Sequence, residues 1–333
     1  MKSQTLINIA INSSILEIRT WPKPGNVHKT QNFPSTIYND FLVTAYSSQS
    51  MWEDLILDIT DSDHKSSRLF VSYLLKTVNH MMRIQTGGNV LLGHYLLLLP
   101  LFISAGECFR DNNRMETTFW INTRKIIHNS SANDTHILYQ ALRAAKPGSM
   151  GNLEKYDIYN DNYKSELTQD NVNLEKIFEL SKQYDSISKE LASNYSFIRE
   201  TVLPKMDEIQ LEYPGLLSEL LNICQKEVIR EDIIDLSPDL NAFLIRIFLY
   251  ILSEQLDTLI SRKMGFSKSQ EISIEAHSIL NQYSQLKLSD WIQLVLDFDK
   301  KLQKAKGKLN PGTTADLLAC SLFIYITKKS LLI

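Results

Sequence analysis

Glycine and proline are scarce, at 11 and 9 of 333 residues, about half the usual share of the two residues that punctuate turns. That scarcity excludes a hairpin-rich β fold and favours long helices. There are only three cysteines, Cys108, Cys224 and Cys320, far apart and without a C-x-x-C pair. Neither a disulfide framework nor a thiolate zinc site is readable, and a reducing, cytosolic compartment is expected. Excess charge is missing too. Lys and Arg number 35 against 38 Asp and Glu, so no global field draws a nucleic acid or an anionic membrane, and a polyanionic ligand must be held locally. A clean membrane span is absent as well: the most apolar run, 90–106, carries Gly93, His94, Pro100 and Ser104 and falls short of about 20 apolar residues. It predicts a buried central helix. No targeting segment is read in 6–18, where Asn8, Asn12, Ser13, Ser14 and Glu17 interrupt the apolar residues.

What is present is a globular balance, 44% hydrophobic and 22% charged, with nearly continuous helical periodicity and no convincing alternation of period two. The pattern predicts an all-α fold: a single large, bundle-like domain over 1–333. Helices are expected at 3–19, 37–59, 67–85, 89–109, 116–128, 133–145, 172–202, 213–230, 238–261, 269–284, 288–303 and 313–329. Helix 89–109 should run through the core, flanked by the first and last helices. In the first, Ile7, Ile11, Ile15 and Ile18 should be buried while Asn8, Asn12 and Glu17 look outward. The polar stretch 146–171 exceeds an ordinary connection and is expected to be functional or partly helical.

The chemically unusual residues gather in the breaks. Residues 22–28, Pro-Lys-Pro-Gly-Asn-Val-His, form a stiffened turn presenting Lys23, Gly25, Asn26 and His28, suited to phosphate oxygens or simply to ending a helix. Gly87, Gly88 and Asn89 precede the most apolar helix, where free amides and the positive helix end suit an anion. Gly88 and Gly93 have P-loop spacing, but His94 and Tyr95 replace its Lys and Ser or Thr, so the P-loop is rejected. Lys146 and Gly148 end a helix in Ala-Lys-Pro-Gly, where the lysine can bind an anion or cap carbonyls. Asp257, Arg262 and Lys263 lie in Asp-Thr-Leu-Ile-Ser-Arg-Lys, whose basic residues also complement a helix dipole. Last comes Asn310-Pro311-Gly312-Thr313-Thr314-Ala315-Asp316. Thr313 and Asp316 have capping-box spacing, and Asp316 also suits magnesium or a ribose hydroxyl.

In this order the motifs resemble the triphosphoribosyl-dephospho-coenzyme A synthase family, closest to its archaeal-type branch. PKPGNVH at 22–28, GGN with Gly93, AKPG at 145–148, DTLISRK at 257–263 and NPGTTADL at 310–317 carry the likeness over nearly the whole chain. Two elements depart from the bacterial pattern. Val90-Leu91-Leu92 stand where that pattern has Thr-His-Lys, and its Asp-Thr-Asn and Arg-Gly-Gly elements appear as Asp257-Thr258-Leu259 and Arg262-Lys263-Met264. The resemblance implies an all-helical enzyme that takes ATP and 3′-dephospho-coenzyme A. A hydroxyl of the acceptor displaces adenine from C1 of the ATP ribose, giving the precursor of the prosthetic group of citrate or malonate lyase-type acyl carrier proteins.

Breaking an N-glycosidic bond builds oxocarbenium character, so carboxylates and an acid for the departing base are needed. Asp316 and Asp257 are the leading candidates, also as Mg²⁺ ligands, with Asp40 a third and His28 a candidate acid or base. Lys23, Lys146, Arg262, Lys263 and the glycine motifs, with Asn310, Gly312 and Thr313, are the parts available for a triphosphate. ATP and a nucleotide-containing acceptor are the expected partners, a homo-oligomer is admitted, and no nucleic acid or membrane is expected. Two other readings stay open: a related ribosyl- or phosphate-transferring enzyme of another pathway, such as that of a pterin-type coenzyme, and a helical binding protein. The last would scatter the five motifs over the surface, whereas an enzyme needs them in one concave pocket.

Overall fold

The computed structural model describes residues 2–60, 65–146, 155–160, 162–226 and 236–331. The first half of the chain comprises α1 (Lys2–Arg19), α2 (Tyr38–Ser47), α3 (Gln49–Thr60), α4 (Ser66–Ile84), α5 (Leu92–Arg110), α6 (Glu116–His128) and α7 (Ala132–Ala145). Then follow α8 (Tyr163–Gln169), α9 (Leu174–Ser181), α10 (Ser186–Ala192), α11 (Leu203–Gln210), α12 (Leu216–Lys226), α13 (Pro238–Glu254), α14 (Thr258–Met264), α15 (Phe266–Asn281), α16 (Leu288–Gln303) and α17 (Gly312–Ser330). Among the described residues the only β pairing is two isolated bridges, His28 with Gln31 and Phe33 with Thr36. The all-α expectation holds.

Helix α5 lies at the centre because almost every side chain on it is apolar, so no face can be left to water. It is long and apolar enough to cross a membrane, yet is buried within the bundle, packed against α1, α3, α4, α6, α10 and α17. Phe102 is fully buried, its ring centroid 4.7 Å from that of Trp52.

The first helix departs from its expected pattern. Asn8, Asn12 and Glu17, expected to face outward, are all buried, because α12 and α17 close over the faces that α2, α3 and α5 leave open. Asn12 donates to the Ile223 carbonyl of α12, and Glu17 pairs with Lys23. The long expected helices are also broken, each by a local device. Ser48 parts 37–59, Asp257 caps a new helix inside 238–261, and Asp185 caps α10 inside 172–202. Left-handed Asn194 and Tyr195 end α10, and a π-helical turn, Ile198–Val202, leads into α11 with Pro204 in its first turn. The polar stretch is partly helical, as α8 shows, while its residues 147–154 and 161 lie outside the described set.

Phe102→Ala should lower unfolding free energy by about 3–5 kcal/mol, the usual cost of a buried aromatic truncation, measured by denaturant titration. A loss below about 1 kcal/mol would contradict the central placement of α5.

Candidate active site

A cleft of about 800 Å³ opens where the N-terminal turns of α5 and α17 meet the C-terminal end of α1. Each of the five sequence motifs contributes to its lining: Asn26 from the first, Asn89 and Gly93 from the second, and Lys146 from the third. Leu259, Arg262 and Lys263 come from the fourth, and Asn310, Gly312, Thr313 and Asp316 from the last. The motif loops therefore converge.

Not every predicted residue reaches the cleft. Lys23 is buried beneath it, its ammonium on Glu17 Oε1 and 3.1 Å from the Glu17 carbonyl oxygen. His28 is turned to α16, with Nε2 3.0 Å from Asp299 Oδ2. The same Asp299 accepts the Gly25 amide at 2.9 Å, and Gly25 sits at φ 72° with the Leu309 carbonyl 2.7 Å from where a Cβ would stand. The 22–28 turn is thus a rigid buttress against α16 and the 309 loop, and presents only Asn26. Gly87 and Gly88 also stay off the lining. Gly87 lies against Asp40, whose Oδ2 accepts the Ile37 amide at 2.9 Å, so this carboxylate caps α2. Gly148 lies outside the described residues.

Asp257 stitches two helices together. Its Oδ1 accepts the Leu259 and Ile260 amides at 2.9 and 3.0 Å, and its Oδ2 accepts the Thr314 amide and hydroxyl at 2.8 and 2.9 Å. It caps α14 directly and α17 from outside. The expected capping box from Thr313 to Asp316 does not form: the residue at the helix cap is Pro311, no side chain of its own caps α17, and the Thr313 hydroxyl instead meets Thr258 at 3.3 Å. Asp316 is free of a capping role because Asp257 performs it.

The Asp316 carboxylate projects into the cleft over Gly93, where a Cβ would stand 2.1 Å from Oδ2. A side chain at position 93 would push the carboxylate aside. Its side chain is about a fifth exposed, and His94 Nε2 lies 3.6 Å from Oδ1 and 3.5 Å from Glu17 Oε2. Burial, then the nearby Glu17, Asp257 and Asp185 carboxylates, hold the Asp316 pKa well above the usual range, against the opposing charge of Lys23. Burial also raises Glu17, although Lys23 opposes it, and pushes His94 down to about 3. The floor of the cleft is a cluster of carboxyl groups around a neutral imidazole.

Around that floor stand cations. Exposed Lys146 occupies a left-handed C-cap. Arg262 donates to the Tyr184 carbonyl and to Asp185 Oδ1 at 3.0 and 3.1 Å, while Lys263 donates to the Gly307 carbonyl at 3.2 Å. Burial lowers the Lys263 pKa, and Lys306 completes the rim. The remaining wall is apolar and aromatic, with Phe33, Phe41, Leu142, Ile177 and Phe178 prominent. Glu17, His94, Asp185 and Lys306 were missed by sequence reasoning. Proximity to motifs was the available signal: His94 follows Gly93 directly, and Glu17 lies six residues before Lys23.

Among the described residues no group of three His, Cys, Asp or Glu side chains is arranged to hold a metal ion. Asp257 does not fit as a magnesium ligand, since both its oxygens are already filled by donors.

Among the described residues the fold is all-helical, and its cation-rimmed, carboxyl-floored cleft has the parts of an enzyme site for an anionic ligand. The profile of the CitG family, ATP:dephospho-CoA triphosphoribosyl transferase, matches residues 3–216 and 206–332. The chain belongs to that family and is a transferase of its class. Among solved structures it is similar in fold to "Crystal structure of putative triphosphoribosyl-dephospho-coA synthase from Archaeoglobus fulgidus", with TM-score 0.54 and 19% identity over 84% of this chain and 97% of that one. A search of curated proteins finds no match.

The raised pKa of Asp316 has a measurable consequence. The folded state keeps this proton to higher pH than the unfolded chain, so its contribution to stability is full below about pH 4 and is lost as pH rises through the folded value. Asp316→Asn removes that loss. The variant should melt at a higher temperature than the parent, by a margin that widens from pH 5 to pH 8 in calorimetric scans; a constant or shrinking margin would refute the assignment.

Proposed function

We propose that the cleft is the site where ATP gives up its adenine and its triphosphoribosyl group passes to an acceptor hydroxyl, with dephospho-coenzyme A as the acceptor. The observation that carries this reading is the meeting of all five motifs in one pocket, cations at the rim and Asp316 at the floor. A binding scaffold has no need of that convergence.

In this reading Lys146, Arg262, Lys263 and Lys306 hold the triphosphate as point charges and donors. Magnesium enters on the triphosphate, which suits an ion that keeps several waters and binds through substrate phosphates. Among the described residues no cage of protein ligands is formed, which is compatible with a phosphate-borne ion. Asp316, whose burial among carboxylates favours its protonated form, gives its proton to the departing adenine as the C1–N bond breaks. The resulting carboxylate faces the positive charge developing on the ribose and then takes the proton of the attacking hydroxyl, so the protein ends as it began. Asp257 and Lys23 act behind the site, the first by joining α14 to α17 and the second by neutralising Glu17.

The apolar wall offers a surface to the adenine ring and to the non-phosphate part of the acceptor. We further read the chain as one functional unit of the cytosol. One continuous buried cluster from Leu6 to Ile326 supports the first point, and three free, buried cysteines support the second.

Incubation with ATP, magnesium and dephospho-coenzyme A should release free adenine, detected by mass spectrometry, in step with a triphosphoribosylated acceptor. Asp316→Asn should slow release about a hundredfold or more, the scale of losing a few kcal/mol of transition-state stabilisation. Arg262→Ala should reduce the rise in melting temperature caused by magnesium-ATP, whereas unchanged melting of the parent at millimolar ATP would argue against the site.

A further inference from the structure

The imidazole of His94 occupies a place that the transfer reaction, as assigned to this cleft, does not yet use. It is buried in the first turn of α5 and faces side chains of α1 and α17. Its Nδ1 lies 3.0 Å from Ser14 Oγ of α1. Its Nε2 stands between Glu17 Oε2 at 3.5 Å and Asp316 Oδ1 at 3.6 Å. Behind Glu17, the ammonium of Lys23 occupies the other carboxylate oxygen.

A neutral imidazole has one N–H and one lone pair, and its partners choose where the proton sits. Were the proton on Nδ1, the Nε2 lone pair would face the Glu17 carboxyl and would draw the Asp316 proton to the imidazole, away from the departing base. With the proton on Nε2, the Ser14 hydroxyl donates to Nδ1 and the N–H points at the carboxyl oxygens. That second arrangement gives Nδ1 a donor and aims the one N–H at acceptor oxygens. The distances to Glu17 and Asp316 are longer than hydrogen bonds, and a shift of roughly half an ångström toward either oxygen makes one. Catalytic hydrogen bonds are commonly loose before substrate arrives and tighten with it.

We propose that His94 is a positioning residue for the transfer, its Nε2–H held toward the cleft by Ser14 so that it steers the Asp316 carboxyl onto the reacting ribose. Glu17, pinned by Lys23, is the second point that keeps the imidazole from swinging away. His94 does not touch the substrate and passes no proton in this role. Asp316 lies close over Gly93, and His94 Nε2, the next residue's donor, stands 3.6 Å from its Oδ1. The inference rests on the reading of the cleft as the site of triphosphoribosyl transfer.

The test compares His94→Leu, which removes the donor, with His94→Gln, which restores a side-chain N–H at about the same reach. Adenine release gives kcat and KM for ATP, and thermal melting reports folding. His94→Leu should lower kcat about tenfold or more, as misplacement of a reacting group does, with KM for ATP within about twofold of the parent. His94→Gln should recover most of the loss. A merely structural histidine would not split kcat from KM or be rescued in this way. Should the Leu variant fail to fold, Ser14→Ala gives the second measurement, a several-fold fall in kcat at unchanged KM. Imidazole ¹⁵N shifts of the resting parent protein should show Nε2 protonated, a readout that needs no turnover.

Parent-level kcat in His94→Leu, or a proton on Nδ1, overturns the proposal alone. A parent protein that releases no adenine overturns the reading of the cleft and the proposal with it.

Discussion

Four hydrogen bonds to one buried carboxylate hold the working end of this protein together. Asp257 takes two amides at the start of α14 and the amide and hydroxyl of Thr314 in the first turn of α17. Both helix ends bring unsatisfied N–H groups, and a charged acceptor shared between them satisfies donors on each while favouring their positive ends. Everything in the cleft from the last two motifs depends on that junction. It places Arg262 and Lys263 beside Asn310 and Thr313, and it releases Asp316 from the capping duty that its sequence position suggests. Burial raises the Asp257 pKa even so, with the Thr314 and Ile260 amides pulling it back, which shows how costly a bare carboxylate would be here.

The second constraint is the buried pair of Glu17 and Lys23. A pair taken out of water repays its desolvation only with good geometry and further hydrogen bonds, so it is weak evidence of stability by itself. Its placement is more informative. Glu17, in the last turn of α1, lines the cleft, and Lys23 folds back from the 22–28 turn to meet it. Residues Asn310 and Arg262 each keep a buried polar atom, Oδ1 and Nε, with no partner, at the edge of the same cleft. Both side chains line the cleft, so a ligand there could meet bonding capacity that the fold leaves open.

The helices were legible in the sequence to a large degree, because the core helices repeat apolar residues at helical spacing and few glycines or prolines interrupt them. Helices 116–128 and 288–303 are observed as read. The long helices read at 172–202 and 238–261 were broken by Asp185 and Asp257, whose capping needs partners and backbone angles that periodicity does not reveal. Hydrophobic pattern likewise misjudged Asn8, Asn12 and Glu17. A helix surrounded on all sides buries its polar face too, and whether it is surrounded depends on α12 and α17, some two hundred residues and more away.

By itself the sequence determined the helical class, the central place of the apolar helix read at 89–109 and the identity of the five polar turns, since each follows from local composition and spacing. Only the tertiary structure decided which members of those turns face the cleft. Lys23, His28, Asp40 and Asp257 carry the chemistry one would choose for a triphosphoribosyl site, yet each is engaged in holding the frame, and Glu17, His94, Asp185 and Lys306 stand in the cleft instead. The reason is physical: a charged group works at a site or in a scaffold according to whether neighbouring donors and acceptors fill its bonding capacity, and those neighbours come from helices distant in sequence.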